Sequence, residues 1–383
     1  MSGASEAQGR QAEAVNNASA TARSHQLMNI TRILTIAFVA AAVTGSIYVA
    51  RPQTTQPHPK EVHLRNIRQL TFEGDNAEAY FSFDGQKVIF QSTREPYKCD
   101  QIFTMNRDGS SQKLVSTGKG RTTCGYFTPD AKRIIYASTH LGAPDCPPPA
   151  DRTKDYVWPI YPTYDIFSAK TDGTDLKRLT TTNGYDAEGT ISQDGKKIVF
   201  TSARDGDLEI YDMNIDGTQQ RRLTFELGYD GGAWHSQDGQ WITWRASRPK
   251  TPEEVAHYKE LFAKNLVMPD KLEIMVMRAD GSDKKVLTHN GKANFAPYFH
   301  PNGKQIIFAS NVNNPNPKSP NFDLFLINRD GTGQEQITFD EGFDGFPMFT
   351  NDGKRLIWGS TRNSKNGMQT NVFIADWIEK PSS

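Results

Sequence analysis

Six short segments of the sequence begin with a residue that carries a side-chain oxygen, and each segment lies just before a repeated hairpin pattern. The first positions are Asn76, Thr122, Asp186, Asp230, Asn294 and Asp344. In two segments a carboxylate follows two positions later, as Glu78 and Glu188. Carboxylates that converge repel each other unless a positive charge compensates them. If the fold brings these segments together, the pattern predicts a site for a divalent, calcium-like cation or for the basic group of a peptide ligand.

Two features of the same repeats offer alternatives to a bound ligand. Arginines lie at or just after the ends of the second strands of the hairpin patterns, as Arg94, Arg204, Arg245 and Arg362. These arginines could balance the carboxylates. Asp and Asn also bond to the backbone of their own loops, and an aromatic residue precedes each of the three Asp first positions, which favours a structural role. Glu78 and Glu188 occur in only two repeats and are therefore the stronger candidates for ligand binding.

Common catalytic motifs do not occur in the sequence. It contains no G-x-S-x-G nucleophile elbow, no H-E-x-x-H metal motif and no phosphate-binding P-loop. We therefore favour a binding protein over an enzyme. The alternative is a metal-assisted hydrolase or lyase at the same place, with Glu78, Asp186, Glu188 and Asp230 as its carboxylates.

The elements that would position these residues are six copies of a strand–turn–strand pattern. The copies are 81–92, 126–138, 190–202, 233–246, 298–310 and 348–360. Their turns are Asp-Gly, Asn-Gly or, at 130–131, Asp-Ala, and the first two are preferred in tight hairpins because Gly and Asn accept positive φ. A third strand follows every copy, and a fourth strand follows all copies but the last.

A strand that matches the missing fourth strand lies before the first copy, at 66–71. It could complete the last repeat and close the array into a ring, which leaves no exposed strand edges at the ends. The sequence thus predicts an all-β fold, a six-bladed β-propeller over 61–383 that is closed by an N-terminal outer strand.

These repeats resemble the repeats of bacterial TolB-type propellers. The shared features are a Leu-Thr-like fourth strand, an (S/T)-x-D-G-K-x-I-x-F-x-S hairpin and a third strand with an acidic, an Ile and an aromatic residue. The resemblance covers 62–378 and implies the propeller fold, which hosts both binding and catalysis. Where TolB carries an N-terminal α/β domain, this chain has a polar linker at 51–60.

The long insertions of the sequence all map to one face of the predicted ring. They lie between second and third strands, at 139–163, 248–271, 311–321 and 361–370. Function concentrates on loops that a rigid scaffold displays, so we expect ligand binding on this insert-bearing face. The second insertion contains a capping box, Thr251 to Glu254, which predicts a short helix. Packing on the propeller rim is favoured for this helix over binding to a partner.

The three cysteines, Cys99, Cys124 and Cys146, map to the same face of the first two repeats. One pair is expected to form a disulfide in an oxidising compartment. The predicted pairings are Cys124–Cys146, slightly favoured because it would hold the 139–163 insertion, and Cys99–Cys124. A zinc site is less favoured because there is no C-x-x-C motif and His140 is the only histidine nearby.

The N-terminal part of the chain differs in composition from the repeats. Residues 1–32 are mostly small and polar and predict disorder, whereas 33–50 form an uncharged apolar run. Such a run is a signal peptide or an N-terminal membrane anchor, and Met28 is a candidate start for it. We therefore expect an exported, periplasmic protein.

The net charge excludes one class of partner. Lys plus Arg and Asp plus Glu are both 44, whereas a nucleic-acid-binding protein usually shows a basic excess. The sequence therefore predicts an exported monomer that binds a protein, peptide or glycan of the cell envelope on its insert-bearing face and acidic channel mouth, and no nucleic acid.

Overall fold

The computed structural model describes residues 53–314, 316, 321–364 and 367–379. The segments predicted to be disordered (1–32) and to target or anchor the chain (33–50) lie outside these residues. Among the helices that the structure describes, none is both long and apolar enough to cross a membrane.

The described chain forms a six-bladed β-propeller, as predicted. It begins with β1 (Gln53–Thr55) and β2 (Leu64–Gln69). Blade one contains β3 (Asp75–Phe81), β4 (Lys87–Thr93), β5 (Gln101–Asn106) and β6 (Lys113–Leu114). Blade two contains β7 (Thr122–Phe127), β8 (Arg133–Ser138), the insert strand β9 (Trp158–Pro159), β10 (Asp165–Lys170) and β11 (Lys177–Arg178). Blade three contains β12 (Asp186–Ile191), β13 (Lys197–Ser202), β14 (Glu209–Asn214) and β15 (Arg221–Arg222).

The second half of the ring repeats this arrangement. Blade four contains β16 (Asp230–His235), β17 (Trp241–Ala246), helix α1 (Pro252–Ala263), the insert strand β18 (Leu266–Val267), β19 (Glu273–Arg278) and β20 (Lys285–Val286). Blade five contains β21 (Asn294–Phe299), β22 (Gln305–Ser310), β23 (Asp323–Asn328) and β24 (Glu335–Gln336). Blade six contains β25 (Asp344–Phe349), β26 (Arg355–Ser360) and β27 (Asn371–Trp377).

The apolar core is formed mainly by the second and third strands of the blades. Their alternating large residues are buried, for example Phe90, Trp244 and Trp358, each 0 % exposed. Burial of one such side chain stabilises the fold by about 2 kcal/mol. The alternation that defined the repeats in the sequence is therefore the alternation that packs the blades together.

The ring closes through the N-terminal strand, as the sequence predicted. β2 pairs antiparallel with β27, with Gln69 opposite Phe373, and so completes blade six. β1 then adds a fifth strand outside β2, with Thr54 opposite Arg68. Part of the segment predicted to be a linker is thus sheet, because the outer edge of β2 is available for backbone pairing.

Helix α1 packs on the propeller rim and begins at the predicted cap. Thr251 and Glu254 form both bonds of the capping box. Tyr258 and Leu261 are buried, and the Tyr258 hydroxyl donates a hydrogen bond to Asp207 of blade three. The helix therefore fixes the blade-four insertion against the neighbouring blade.

Candidate functional site

Every first strand contains a β-bulge near its start. In blade three the pairing with β13 shifts by one residue between Ala187 and Thr190, and the other five blades show the same shift. One residue in each bulge adopts a positive φ of 49–63°: Glu78, Cys124, Glu188, Gly232, Ala296 and Phe346. A bulge turns a side chain away from the regular strand direction. All six bulge residues line one pocket on the propeller axis, which we call the mouth pocket.

The first-position residues lie elsewhere. Asn76, Thr122, Asp186, Asp230, Asn294 and Asp344 are buried, at 0–1 % exposure, and none lines the mouth pocket. In all six, the backbone N–H donates to a carbonyl of the preceding blade, for example from Asp186 to Tyr164 at 3.0 Å and from Asp230 to Leu208 at 3.0 Å. Their repetition is therefore explained by a contact that joins neighbouring blades.

The side chains of the three Asp first positions pair with arginines of their own blades. The N–O distance is 2.9 Å from Arg204 to Asp186, 2.7 Å from Arg248 to Asp230 and 2.8 Å from Arg362 to Asp344. Arg94 similarly donates to Asn76 at 2.8 Å. Arg204 thus compensates a first-position carboxylate outside the pocket, and Arg248, which the repeat pattern does not predict, does the same in blade four.

The negative charge of Glu188 is compensated by an arginine that lines the same pocket. Glu188 pairs with Arg245, and it accepts hydrogen bonds from the Thr201 hydroxyl at 2.7 Å and the Gly232 N–H at 2.9 Å. The Arg245 guanidinium lies 5.2 Å from the Trp158 ring centre and 5.3 Å from that of Tyr229. Glu188 therefore has its full set of partners within the protein.

Glu78 differs from Glu188 in having no such compensation. Its Oε2 atom is buried and has no hydrogen-bond partner among the described residues. Burial raises the pKa of Glu78 to about 7, and the Glu188 charge adds to the rise, while the Cys124 thiol and Arg245 lower it. Near neutral pH this carboxyl exists both protonated and ionised, so it can gain or lose a proton when a charged ligand approaches.

Aromatic residues close the propeller axis beneath the mouth pocket. They occur two positions after the bulge residues, so Tyr80, Tyr126 and Trp234 project next to one another. The Trp234 ring centre lies 4.9 Å from both Tyr80 and Tyr126 and 5.0 Å from Tyr298. This ring of side chains forms the floor of the pocket.

A polar network spans the axis at the opposite end of the propeller, where the short hairpin turns lie. Gln193 of blade three and Gln237 of blade four both donate to Asn351 of blade six, at 2.9 Å. Asn351 in turn donates to the Phe83 carbonyl of blade one at 2.9 Å. The mouth pocket is therefore separated from the hairpin-turn end by this network and faces the insert-bearing side.

The wall of the mouth pocket on the side of blades five and six is apolar. Phe346 lines the pocket, and its ring centre lies 5.5 Å from that of Phe295, which in turn lies 6.1 Å from Phe343. The free space inside is about 30 Å³, which corresponds to roughly two water molecules. The pocket is thus small, polar at Glu78 and Glu188 and apolar at Phe346.

The insertions of blades two and four meet above this site. β9 pairs with β18, with Trp158 opposite Val267, although the two strands belong to blades that are not neighbours. This contact holds Trp158 over Arg245. Trp158 could not be predicted from the sequence, because it lies within a Pro-rich insertion and its pairing with β18 depends on the closed ring.

The disulfide joins Cys99 to Cys146, with Cα atoms 6.0 Å apart. Both predicted pairings, Cys124–Cys146 and Cys99–Cys124, are therefore wrong. Cys124 is free because it occupies the blade-two bulge, at φ 54°, and lines the mouth pocket. Cys99 and Cys146 lie in loops of adjacent blades that meet on the insert-bearing face, and their bond ties the blade-two insertion to blade one.

The described residues contain no group of three or more His, Cys, Asp or Glu side chains placed to hold one metal ion. The physical reason is the arrangement above, in which the first-position Asp residues bond within their own blades and Glu188 bonds to Arg245. Among the described residues that line the mouth pocket, Glu78 is thus the one carboxylate without an ion-pair partner.

Comparisons with known proteins find similarity between this chain and TolB propellers. A family described as the TolB beta propeller domain matches residues 162–260, and no curated protein matches the sequence significantly. The structure is similar to a putative TolB from Agrobacterium tumefaciens, with 19 % identity and a TM-score of 0.52, covering 80 % of this chain and 91 % of that one.

Two further solved structures share the fold. TolB from Acinetobacter baumannii has 18 % identity and a TM-score of 0.52, and the similarity covers 79 % of this chain but only 63 % of that one. An oligogalacturonate lyase from Vibrio parahaemolyticus has 12 % identity and a TM-score of 0.52 over 86 % of this chain and 98 % of that one. Such identities relate the folds alone. By its repeats and its architecture, this chain is a six-bladed β-propeller, and its fold is similar to that of the TolB propellers.

Proposed function

We propose that this chain is a binding propeller that anchors a polypeptide ligand in the mouth pocket of its insert-bearing face. The observation that carries the proposal is the buried Oε2 atom of Glu78, which has no hydrogen-bond partner among the described residues. Leaving a buried polar atom unpaired costs about 1–3 kcal/mol. A ligand that supplies the missing donor recovers this free energy on binding.

The dimensions of the pocket favour a polypeptide over a glycan. A free space of about 30 Å³ holds the head group of one side chain, whereas a sugar ring needs several times as much. A side chain with an apolar stem and a polar head matches the contrast between Phe346 on the wall and Glu78 in the pocket. The rest of the polypeptide would lie across the insertions, including Trp158.

The metal-assisted hydrolase or lyase has less support. Its candidate carboxylates were Glu78, Asp186, Glu188 and Asp230, and three of them form ion pairs with arginines. A metal ion that bound them would have to displace these arginines from buried positions. Glu78 by itself supplies at most two oxygen ligands, so we favour the binding function.

The binding propeller would act in an oxidising compartment outside the cytoplasm. The Cys99–Cys146 bond supports this part of the proposal, because disulfides persist mainly in such compartments. The uncharged apolar run at 33–50 has the composition of an export signal. Trapping of thiols in intact cells, followed by peptide mapping, tests it. Cys99 and Cys146 should resist alkylation before reduction, and rapid alkylation of both would contradict it.

Site-specific photo-crosslinking in cells tests the binding function. A crosslinking amino acid at Phe225, which is 66 % exposed in a loop leading into β16, should capture the ligand. The same amino acid at Lys196, in a hairpin turn at the opposite end of the propeller, should not. Crosslinks that form from Lys196 and not from Phe225 would assign the ligand to the wrong face and refute the proposal.

Binding of the purified ligand provides the quantitative test. Ala296→Phe should fill the mouth pocket without straining the backbone further, because Phe346 already adopts the same conformation in blade six, at φ 56°. We expect at least a tenfold loss of affinity, against no change for Lys196→Ala. The ligand should also keep its mass during incubation. Unchanged affinity in Ala296→Phe, or conversion of the ligand, would overturn the proposal.

A further inference from the structure

We infer that the ligand group held in the mouth pocket is a primary ammonium, from a lysine side chain or a polypeptide N-terminus, and that it replaces the proton carried by Glu78. This inference rests on the proposed function, because it names the group by which the polypeptide is anchored. In this exchange the neutral Glu78 carboxyl loses its proton to solvent. The resulting carboxylate then forms an ion pair with the ammonium.

The acceptor in this pair is the unpartnered Oε2 atom of Glu78. Beneath it, Tyr80, Tyr126 and Trp234 line the same pocket, and their π-systems attract a cation that lies against the ring faces. An ammonium would therefore find one charged acceptor and an aromatic floor. A neutral amide would gain the hydrogen bond but not the attraction of the rings and the carboxylate.

The charges around Glu78 leave it as the uncompensated group. Cys124, from blade two, is a thiol whose pKa is raised well above its ordinary value by burial, so it stays neutral. Tyr80, on the same strand as Glu78, also has a raised pKa and stays neutral. Glu188 and Arg245 neutralise each other across blades three and four, and Asp100 of blade one adds a further negative charge.

The size of the pocket separates an ammonium from a guanidinium. Its free space of about 30 Å³ corresponds to roughly two water molecules, and an ammonium head is close to the size of one. A guanidinium is a flat group with three nitrogens whose preferred partner is a carboxylate offering both oxygens. Arg245 already holds Glu188, so the carboxylate left for a ligand is Glu78, through its buried Oε2 atom.

Small probes test the inference on the full-length protein. The probes are N-acetyl-lysine methylamide, the same compound acetylated on Nζ, and N-acetyl-arginine methylamide, with binding followed by ligand-observed NMR. At pH 8 the lysine probe should bind at least tenfold more tightly than either of the others. Equal binding of the lysine and acetylated-lysine probes would overturn the inference.

The dependence of binding on pH tests the exchange with a proton and needs no variant. Because Glu78 must lose its proton, the affinity for the lysine probe should rise by about tenfold per pH unit below pH 7 and level off above it. Calorimetry at pH 6 in buffers of different ionisation enthalpy should detect about one proton released per probe bound. Affinity that is independent of pH between 6 and 8 would contradict the exchange.

Variants assign the effect to Glu78. Glu78→Gln should lower the affinity for the lysine probe at least tenfold at pH 8 and abolish its pH dependence, whereas the exposed Glu73→Gln on the same blade should change neither. If Glu78→Gln binds the lysine probe like wild type, the inference is wrong. The proposed function has a separate test, since Ala296→Phe would still block the crosslinked ligand if that ligand were anchored by another group.

Discussion

Arg245 of blade four reaches across the mouth pocket and forms an ion pair with Glu188 of blade three. The two residues are 57 positions apart in the chain, and a third element, the blade-two insertion, places Trp158 over the guanidinium. One positive and one negative charge of the pocket thus cancel each other. This pairing explains why Glu188, which has the same position in its blade as Glu78, is not equivalent to it.

Arg245 and Glu188 should be strongly coupled in their effect on stability. Arg245→Met leaves a largely buried carboxylate without its counter-charge, and we expect the free energy of unfolding to fall by about 3 kcal/mol. Glu188→Gln should be similarly costly, and the double variant should lose less than the sum of both. Urea denaturation of all four proteins measures this coupling. Additive losses would contradict the coupling. The control is Glu260→Gln, in the exposed Glu260–Lys264 pair of α1, which should change stability by less than about 0.5 kcal/mol.

The pKa of Glu78 predicts how stability depends on pH. Burial raises this pKa from 4.5 to about 7 in the folded protein, so between these values the native state binds more protons than the unfolded state. The Glu78 contribution to the free energy of unfolding is therefore fully present below pH 4.5 and is lost as pH rises to 7, by about 1.4 kcal/mol per unit.

Urea denaturation between pH 5 and pH 7 measures this contribution. Glu78→Gln should flatten the dependence of stability on pH, while Glu73→Gln should follow wild type. Asp230, whose burial also raises its pKa to about 7, should leave a residual slope in Glu78→Gln. An unchanged slope in Glu78→Gln would show that Glu78 titrates at its ordinary value.

The Cys99–Cys146 bond should stabilise the propeller through the unfolded state. The cysteines are 47 positions apart, and closing a loop of this length restricts the unfolded chain by about 4 kcal/mol. We expect Cys99→Ser to lose stability of this order in urea denaturation, and Cys124→Ser to lose much less. Peptide mapping without reductant should recover residues 99 and 146 in one linked pair and residue 124 as a free thiol, and any linkage that includes Cys124 would refute the assignment.

Glu61 should control how firmly the closing strand is held. It is 1 % exposed and accepts two hydrogen bonds from Arg362 of blade six, at 2.7 and 3.1 Å. Glu61→Gln should cost about 3 kcal/mol, because it removes one partner of a buried ion pair. Amide hydrogen exchange in β2 should become faster as well. The exposed Glu341→Gln in the same blade is the control, and unchanged exchange in Glu61→Gln would contradict this role.

The sequence by itself determined the architecture of this protein. The alternation of apolar residues, the hairpin turns at positions such as 84–85, the helix cap at Thr251 and the outer strand at 66–71 are all local signals. They can be recognised without the rest of the fold because the side-chain period of a strand and the φ of a turn depend on near neighbours. They sufficed to predict six blades, their order and the closure of the ring.

Only the tertiary structure decided which residues meet on the axis. A bulge in each first strand directs Glu78 into the pocket while Asn76, two positions earlier, is buried between blades. The equivalent bulge in blade two directs Cys124 into the pocket and away from Cys99 and Cys146. These outcomes depend on a shift of one residue in strand pairing and on contacts between blades far apart in the chain, such as Glu188 with Arg245 and Trp158 with Val267. Neither is encoded in a local pattern, so the ring and the two candidate glutamates could be predicted from the sequence, but the partners of those glutamates in the pocket could not.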